Sequence, residues 1–312
     1  MIPPSAVWNS LQRLIGIVIL SSFFASSCSL SKMASDMTSN IFKVGAPVFE
    51  SEGDVEVAET SGLAMIKTLE VFNYHNPTNK AYLNLLARSY ATYAFGFLEN
   101  RMTQYQFKDP ERYKVYFERA KNFYKKGKAF GMALLKEDDK KLVEAISKGV
   151  DPVRNRMKHY DRQDIEPVFW TAFNWGSLIN LSKDDIVAVA DLALVEAMMA
   201  RILEVYPSFF YGGPHMFYGV YYASRPAMLG GSPEKARKHF DEAAKITGGK
   251  MLMVYALEAQ FLSVQTMDKQ LFGDMIDKVN AGSVDALPEQ RLANALAKER
   301  VKFLRDNETK YF

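Results

Sequence analysis

From about Gly53 to the C-terminus, apolar side chains recur at intervals of three and four, and alternating apolar and polar runs are nearly absent. That period belongs to amphipathic helices rather than to strands. Asp109-Pro110-Glu111, Ser182 followed by Asp185, and Ser232-Pro233-Glu234 read as helix starts. Pro207, Gly212-Gly213 and Gly248-Gly249 read as stops. The prediction is an all-α chain of roughly ten helices, joined by short turns into an array of antiparallel pairs. No linker rich in Pro, Gly or Ser interrupts residues 53–312, so this stretch is expected to form one helical domain.

The spacing of small residues suggests how the pairs pack. Ala190, Ala193, Ala197 and Ala200 form a stripe on one helix, which a neighbour could approach closely. Ala236, Phe240 and Ala243 repeat such a register after Gly219 and Tyr222, and Ala120, Tyr124 and Gly127 do so more loosely after Leu85 and Leu86. This register is similar to the second helix of a tetratricopeptide unit, whose full pattern repeats about every 34 residues. Loops at 100–109 and 223–232 stretch the period, and the Trp and Pro positions of the motif are mostly missing. Divergent tetratricopeptide-like pairs and a plain array of helical hairpins both satisfy it.

The N-terminus follows a different pattern. Arg13 is the only charged side chain before Lys32, and it precedes the apolar run LIGIVILSSFFA at 14–25 and the small residues Ala25-Ser26-Ser27. That is a signal-peptide layout, too short for a permanent spanning helix. The single cysteine, Cys28, stands where lipoprotein cleavage would make it the new N-terminus, and the residues before it fit a relaxed lipobox. The expected organisation is a lipoprotein signal peptide at 1–27, a lipidated N-terminus and tether at 28–52, and the helical domain at 53–312. Acylation at Cys28 would hold the protein on a membrane.

Composition narrows the chemistry. At 48% hydrophobic and 24% charged the chain is an ordinary globule, and a net charge of +3 gives no strong field for nucleic acid. One Cys and four scattered His offer no metal-ligand spacing. No nucleophile elbow, phosphate loop or dinucleotide fingerprint is present, so neither a cofactor nor an enzymatic activity is expected. Aromatics are the unusual component, with 21 Phe, 16 Tyr and 3 Trp. They concentrate in two clusters: 169–176 (Phe169, Trp170, Phe173, Asn174, Trp175) and 209–222 (Phe210, Tyr211, His215, Tyr218, Tyr222). Phe169 and Phe173 share one helical face and Trp170 and Asn174 the next, so the rings address more than one neighbour. These ten residues are the candidate lining of an apolar pocket for a hydrophobic small molecule. Filling of the core between helix pairs is the competing use of the same rings.

The succession Gly212-Gly213-Pro214-His215, Gly219-Val220-Tyr221-Tyr222-Ala223, Leu229-Gly230-Gly231-Ser232 and Ala236-Arg237-Lys238-His239-Phe240 resembles the T component of tripartite ATP-independent periplasmic (TRAP) transporters. Residues 169–178, with Trp175-Gly176, and the lipobox at Cys28 are also similar to these spirochaete lipoproteins. The resemblance implies a periplasmic protein anchored by lipid to a bacterial membrane, with about four tetratricopeptide-like repeats. It further implies a homotrimer that partners the substrate-binding P component and has a hydrophobic cleft or pore. The alternative is a helical-repeat scaffold lipoprotein in outer-membrane assembly, without a small ligand. A hydrolase would need a convergent acidic pair, for which Glu166, Asp184 and Asp185 lie near the aromatic clusters in sequence.

Overall fold

Among residues 32–312, which a computed structural model describes, helices carry the fold and no strand occurs. The predicted signal peptide and Cys28 lie outside the described residues. No described helix is long and apolar enough to cross a membrane.

The stretch expected as a tether is helical over 32–50 (α1). Polar residues of its first half dock on the start of the helix Lys80–Tyr93: Asn79 Nδ2 donates to Asp36 at 2.7 Å, and the Tyr82 hydroxyl donates to the Ser35 carbonyl at 2.8 Å. Ser35 and Ser39 thus form a buried polar docking face.

Next come α2 (Val55–His75) and α3 (Lys80–Tyr93), capped by Asp54 and Asn79. α3 continues through a π-helical turn, Ala94–Leu98, into α4 (Glu99–Tyr105). The long α5 (Pro110–Asp138) starts as its sequence predicts, with Asp109 accepting from the Arg112 amide and Pro110 in the first turn. Two short helices, α6 (Lys140–Lys148) and α7 (Val150–Met157), lead to α8 (Ile165–Asn180).

The segment with the alanine stripe splits at Asp191 into α9 (Ile186–Ala190) and α10 (Leu192–Val205). Asp185, not Ser182, caps α9. Of the four alanines only Ala197 is buried, because α10 turns Leu194, Val195, Met198 and Ile202 inward. Those larger side chains remove more apolar surface from water than an alanine seam would.

The remaining elements are α11 (Phe209–Ala223), α12 (Pro233–Ile246), α13 (Leu252–Leu257), a second π-helical turn at Glu258–Ser263, α14 (Val264–Thr266), α15 (Lys269–Ala281), α16 (Arg291–Asp306) and α17 (Glu308–Tyr311). Here the predicted register holds. Ala236, Phe240 and Ala243 are buried, and the Phe240 ring fills the space over Gly219 so closely that a Cβ there would stand 2.6 Å from it.

Neighbouring elements pack in a closed circuit. α3 packs on α5, α5 on α8, α8 on α10, α10 on α11, α11 on α12, α12 on α13, and α13 on α16. α16 returns to α4 and α2. Asn100 Nδ2 seals that return with a bond to the Leu296 carbonyl at 3.0 Å. The array is a ring whose two halves face a common interior.

Candidate functional site

The interior of the ring is a cavity of about 400 Å3. Its wall is mostly carbon: Phe42 and Phe49 from α1, Ile66 and Leu69 from α2, Phe95 and Phe97 from the first π turn, Phe261 from the second, and Leu292 and Leu296 from α16. π-helical turns shift side-chain register by inserting a residue and recur at functional sites. Here both turn a phenylalanine onto the same wall.

α8 and α11 complete it. Phe169, Trp170, Phe173 and Phe210, four of the ten residues expected to form a pocket, line the cavity. Phe169 and Trp170 meet edge to face at 5.0 Å, and Phe210 meets the Trp170 ring at 4.9 Å. Phe210 reaches this position through an unusual backbone. Phe210, Tyr211 and Gly212 have φ of 42°, 57° and 85°, a left-handed turn at the start of α11. Such a conformation costs roughly 1–2 kcal/mol per non-glycine residue. Outliers of this kind cluster where a ligand or a switch needs them.

The other six candidates do not line the cavity. Asn174 is buried between helices, where Nδ2 donates to the carbonyls of Ala87 (2.9 Å) and Trp170 (2.8 Å) and its amide occupies the gap left by Gly127. Trp175 turns away, donating Nε1–H to Asp191 at 3.2 Å beneath the Lys128 ammonium, 3.6 Å from the ring. Tyr218 donates to the Glu196 carbonyl at 3.3 Å and stacks on His239. His215 pairs with His239, and Tyr222 stacks on that same ring. Tyr211 packs beside Phe210 but faces off the wall. The two aromatic clusters thus divide between lining and helix packing. The three acids weighed for hydrolysis do not act as a pair: Glu166 accepts from Asn84 at 3.0 Å, Asp185 caps α9, and Asp184 is exposed.

Polar groups on the wall are few, and sequence reading missed them. Arg88 lies over the rings of Trp170 (5.5 Å) and Phe210 (5.3 Å) and pairs with Glu50 of α1, which also accepts from Gln290 Nε2 at 2.7 Å. This ion pair fastens α1 across one side of the cavity. Glu99 opens α4 directly after the π turn, and burial raises its pKa while the nearby charge of Arg300 opposes that rise. The Tyr124 hydroxyl donates to Glu99 Oε1 at 2.5 Å. Arg225 sits at the end of α11 with its guanidinium 3.7 Å from the Tyr221 ring. Nothing local marks these residues, since each becomes a wall group only through partners far away in sequence.

The arrangement is a largely apolar chamber with charged groups at three separate places, suited to holding a molecule and carrying no convergent reactive groups among the described residues. Over 266 residues, which are 85% of this chain and 82% of the relative, the sequence is 19% identical to an uncharacterised protein of Treponema pallidum (strain Nichols). Residues 51–312 match the family model described as TRAP transporter T-component, so that match spans the whole ring from just before α2 to the C-terminus. The chain belongs to the TRAP transporter T-component family.

Proposed function

We propose that the protein is a membrane-tethered periplasmic accessory of a TRAP transporter that holds a hydrophobic small molecule within its ring and docks the transporter's substrate-binding P component. The observation that carries the ligand part is the chamber of about 400 Å3 walled by Phe, Trp and Leu side chains. That volume lies in the range of small-molecule sites, and burying apolar surface there contributes about 25 cal/mol per Å2. The family supports the transport role. A lipid on Cys28 and assembly as a homotrimer complete the reading.

Two measurements test it. The lipidated protein is captured from detergent-solubilised cells, and co-purifying proteins and extracted small molecules are identified by mass spectrometry. A periplasmic substrate-binding protein and an apolar compound are expected; barrel-assembly proteins with no small molecule would replace this reading with the scaffold. In parallel, an apolar fluorescent probe is titrated against Phe173→Ala, on the wall, and Tyr222→Ala, off it. Phe173→Ala should weaken binding several-fold and Tyr222→Ala should leave it unchanged, with circular dichroism confirming that both are folded.

A further inference from the structure

Two carboxylates reach the cavity wall, and they differ in what they have left to offer. Glu50 is engaged by Arg88 and Gln290. Glu99 is not. Its Oε1 accepts from Tyr124, and among the described residues no donor reaches its second oxygen. Arg300 lends it charge at a distance but no hydrogen bond, because the guanidinium is directed elsewhere: Nε to Asn100 Oδ1 (2.7 Å), Nη2 to the Phe95 carbonyl (2.6 Å) and Nη1 to Gln260 Oε1 (3.4 Å).

Rings gather beside the tyrosine that holds Glu99. The Tyr124 ring lies 6.5 Å from Phe173, which lies 5.9 Å from Phe95. A small number of polar points with spare hydrogen-bonding capacity is what orients a ligand in an otherwise apolar pocket. The hydroxyl of Ser177, on the wall, is directed to Tyr124. With Glu99 ionised, the state that the buried charge of Arg300 favours against the effect of burial, that oxygen is a free acceptor, while the Nε1–H of Trp170, unpartnered among the described residues, is a buried donor on another lining residue.

Building on the proposed apolar cargo, we infer that the cavity takes an apolar molecule bearing a hydrogen-bond donor, a hydroxyl or an amine, that docks on the free oxygen of Glu99. An acid of the same shape is disfavoured, because its carboxylate would meet another carboxylate.

The test uses the full-length protein with bound pyrene as reporter and four competitors of equal chain length: 1-decanol, decylamine, methyl decyl ether and decanoate. The ether keeps the alcohol's acceptor and removes its donor. Decanol and decylamine should displace pyrene about tenfold more tightly than the ether, the effect of one hydrogen bond to a charged group. Decanoate should be the weakest of the four. In Glu99→Gln the preference for decylamine over the ether should largely disappear. Because that variant leaves Arg300 without its countercharge and can unfold, the wild-type series decides alone. Equal displacement by alcohol, amine and ether overturns the inference while leaving the apolar cavity intact; decanoate as the tightest competitor overturns it and moves the polar anchor to Arg225. Failure of pyrene itself to bind overturns the cavity reading and this inference together.

Discussion

The Nδ1 atoms of His215 and His239 stand 3.0 Å apart, joining α11 to α12, so one ring donates to the other and the accepting ring must be neutral. Burial lowers both pKa values, and that of His239 falls to about 4, helped by His215, Lys238 and Lys235 and opposed by Glu242. The His239 ring lies against both Tyr218 and Tyr222, which stay protonated in this range.

The sign of the pH effect follows. Between the unfolded value near 6.5 and about 4, the unfolded chain binds a proton that folded His239 does not, so stability rises with pH across that window and falls on acidification. Urea midpoints measured from pH 7 to pH 4 should fall more steeply for the wild type than for His239→Gln. Parallel slopes would show that the pair does not titrate in this way.

Arg300 is wholly buried and ties α16 to both π-helical turns. Arg300→Met should lower unfolding stability by about 3–5 kcal/mol, because it leaves the Glu99 charge without compensation. Adding Glu99→Gln to it should recover part of that loss. Chemical denaturation of the two single variants and the double variant gives the coupling.

Gly219→Ala should destabilise by about 1–3 kcal/mol, since the new methyl would overlap a buried Phe240 ring held between two helices. Phe240→Leu in that background should cost less than it does alone. Additive effects in thermal or urea unfolding would mean that α11 and α12 move apart freely.

At Tyr211 the usual helical preference should invert. In an ordinary helix glycine is less stable than alanine by about 1 kcal/mol. With φ at 57°, Tyr211→Gly should instead be the more stable of the two replacements by about 1 kcal/mol. Comparing the two variants with each other, rather than with the wild type, removes the contribution of the lost ring.

What could be read from the sequence was set by neighbours within a turn or two. Asp109 and Ser232 cap helices through amides three residues on, so their starts were legible, as was the Gly219–Phe240 seam. Phe169, Trp170, Phe173 and Phe210 were recognisable as candidates, but their separation from Trp175 and Tyr218 was not, because which face of α8 or α11 looks inward depends on the whole circuit. The tether assignment for 28–52 missed α1 for a related reason: its first half buries Ser35 and Ser39 against Asn79 and Tyr82, so the apolar contacts of Phe42 and Phe49 in its second half form no continuous stripe. The left-handed turn at 210–212 and the π turns have no composition that announces them. Glu99 became visible as a wall group only once Tyr124 and Arg300 stood beside it.

The return of α16 to α2 and α4 also governs timing. Asn100 meets Leu296, and Phe95 meets Arg300, across about two hundred residues of chain, and contacts of such separation form late and slowly. A growing or partly folded chain can form its hairpins one after another, yet it has no enclosed chamber until α16, within the last 22 residues of the polypeptide, arrives. Whatever occupies the ring must therefore be loaded into a finished molecule, and a chain cut before Arg291 would keep most of its helices while having nothing in which to hold a guest.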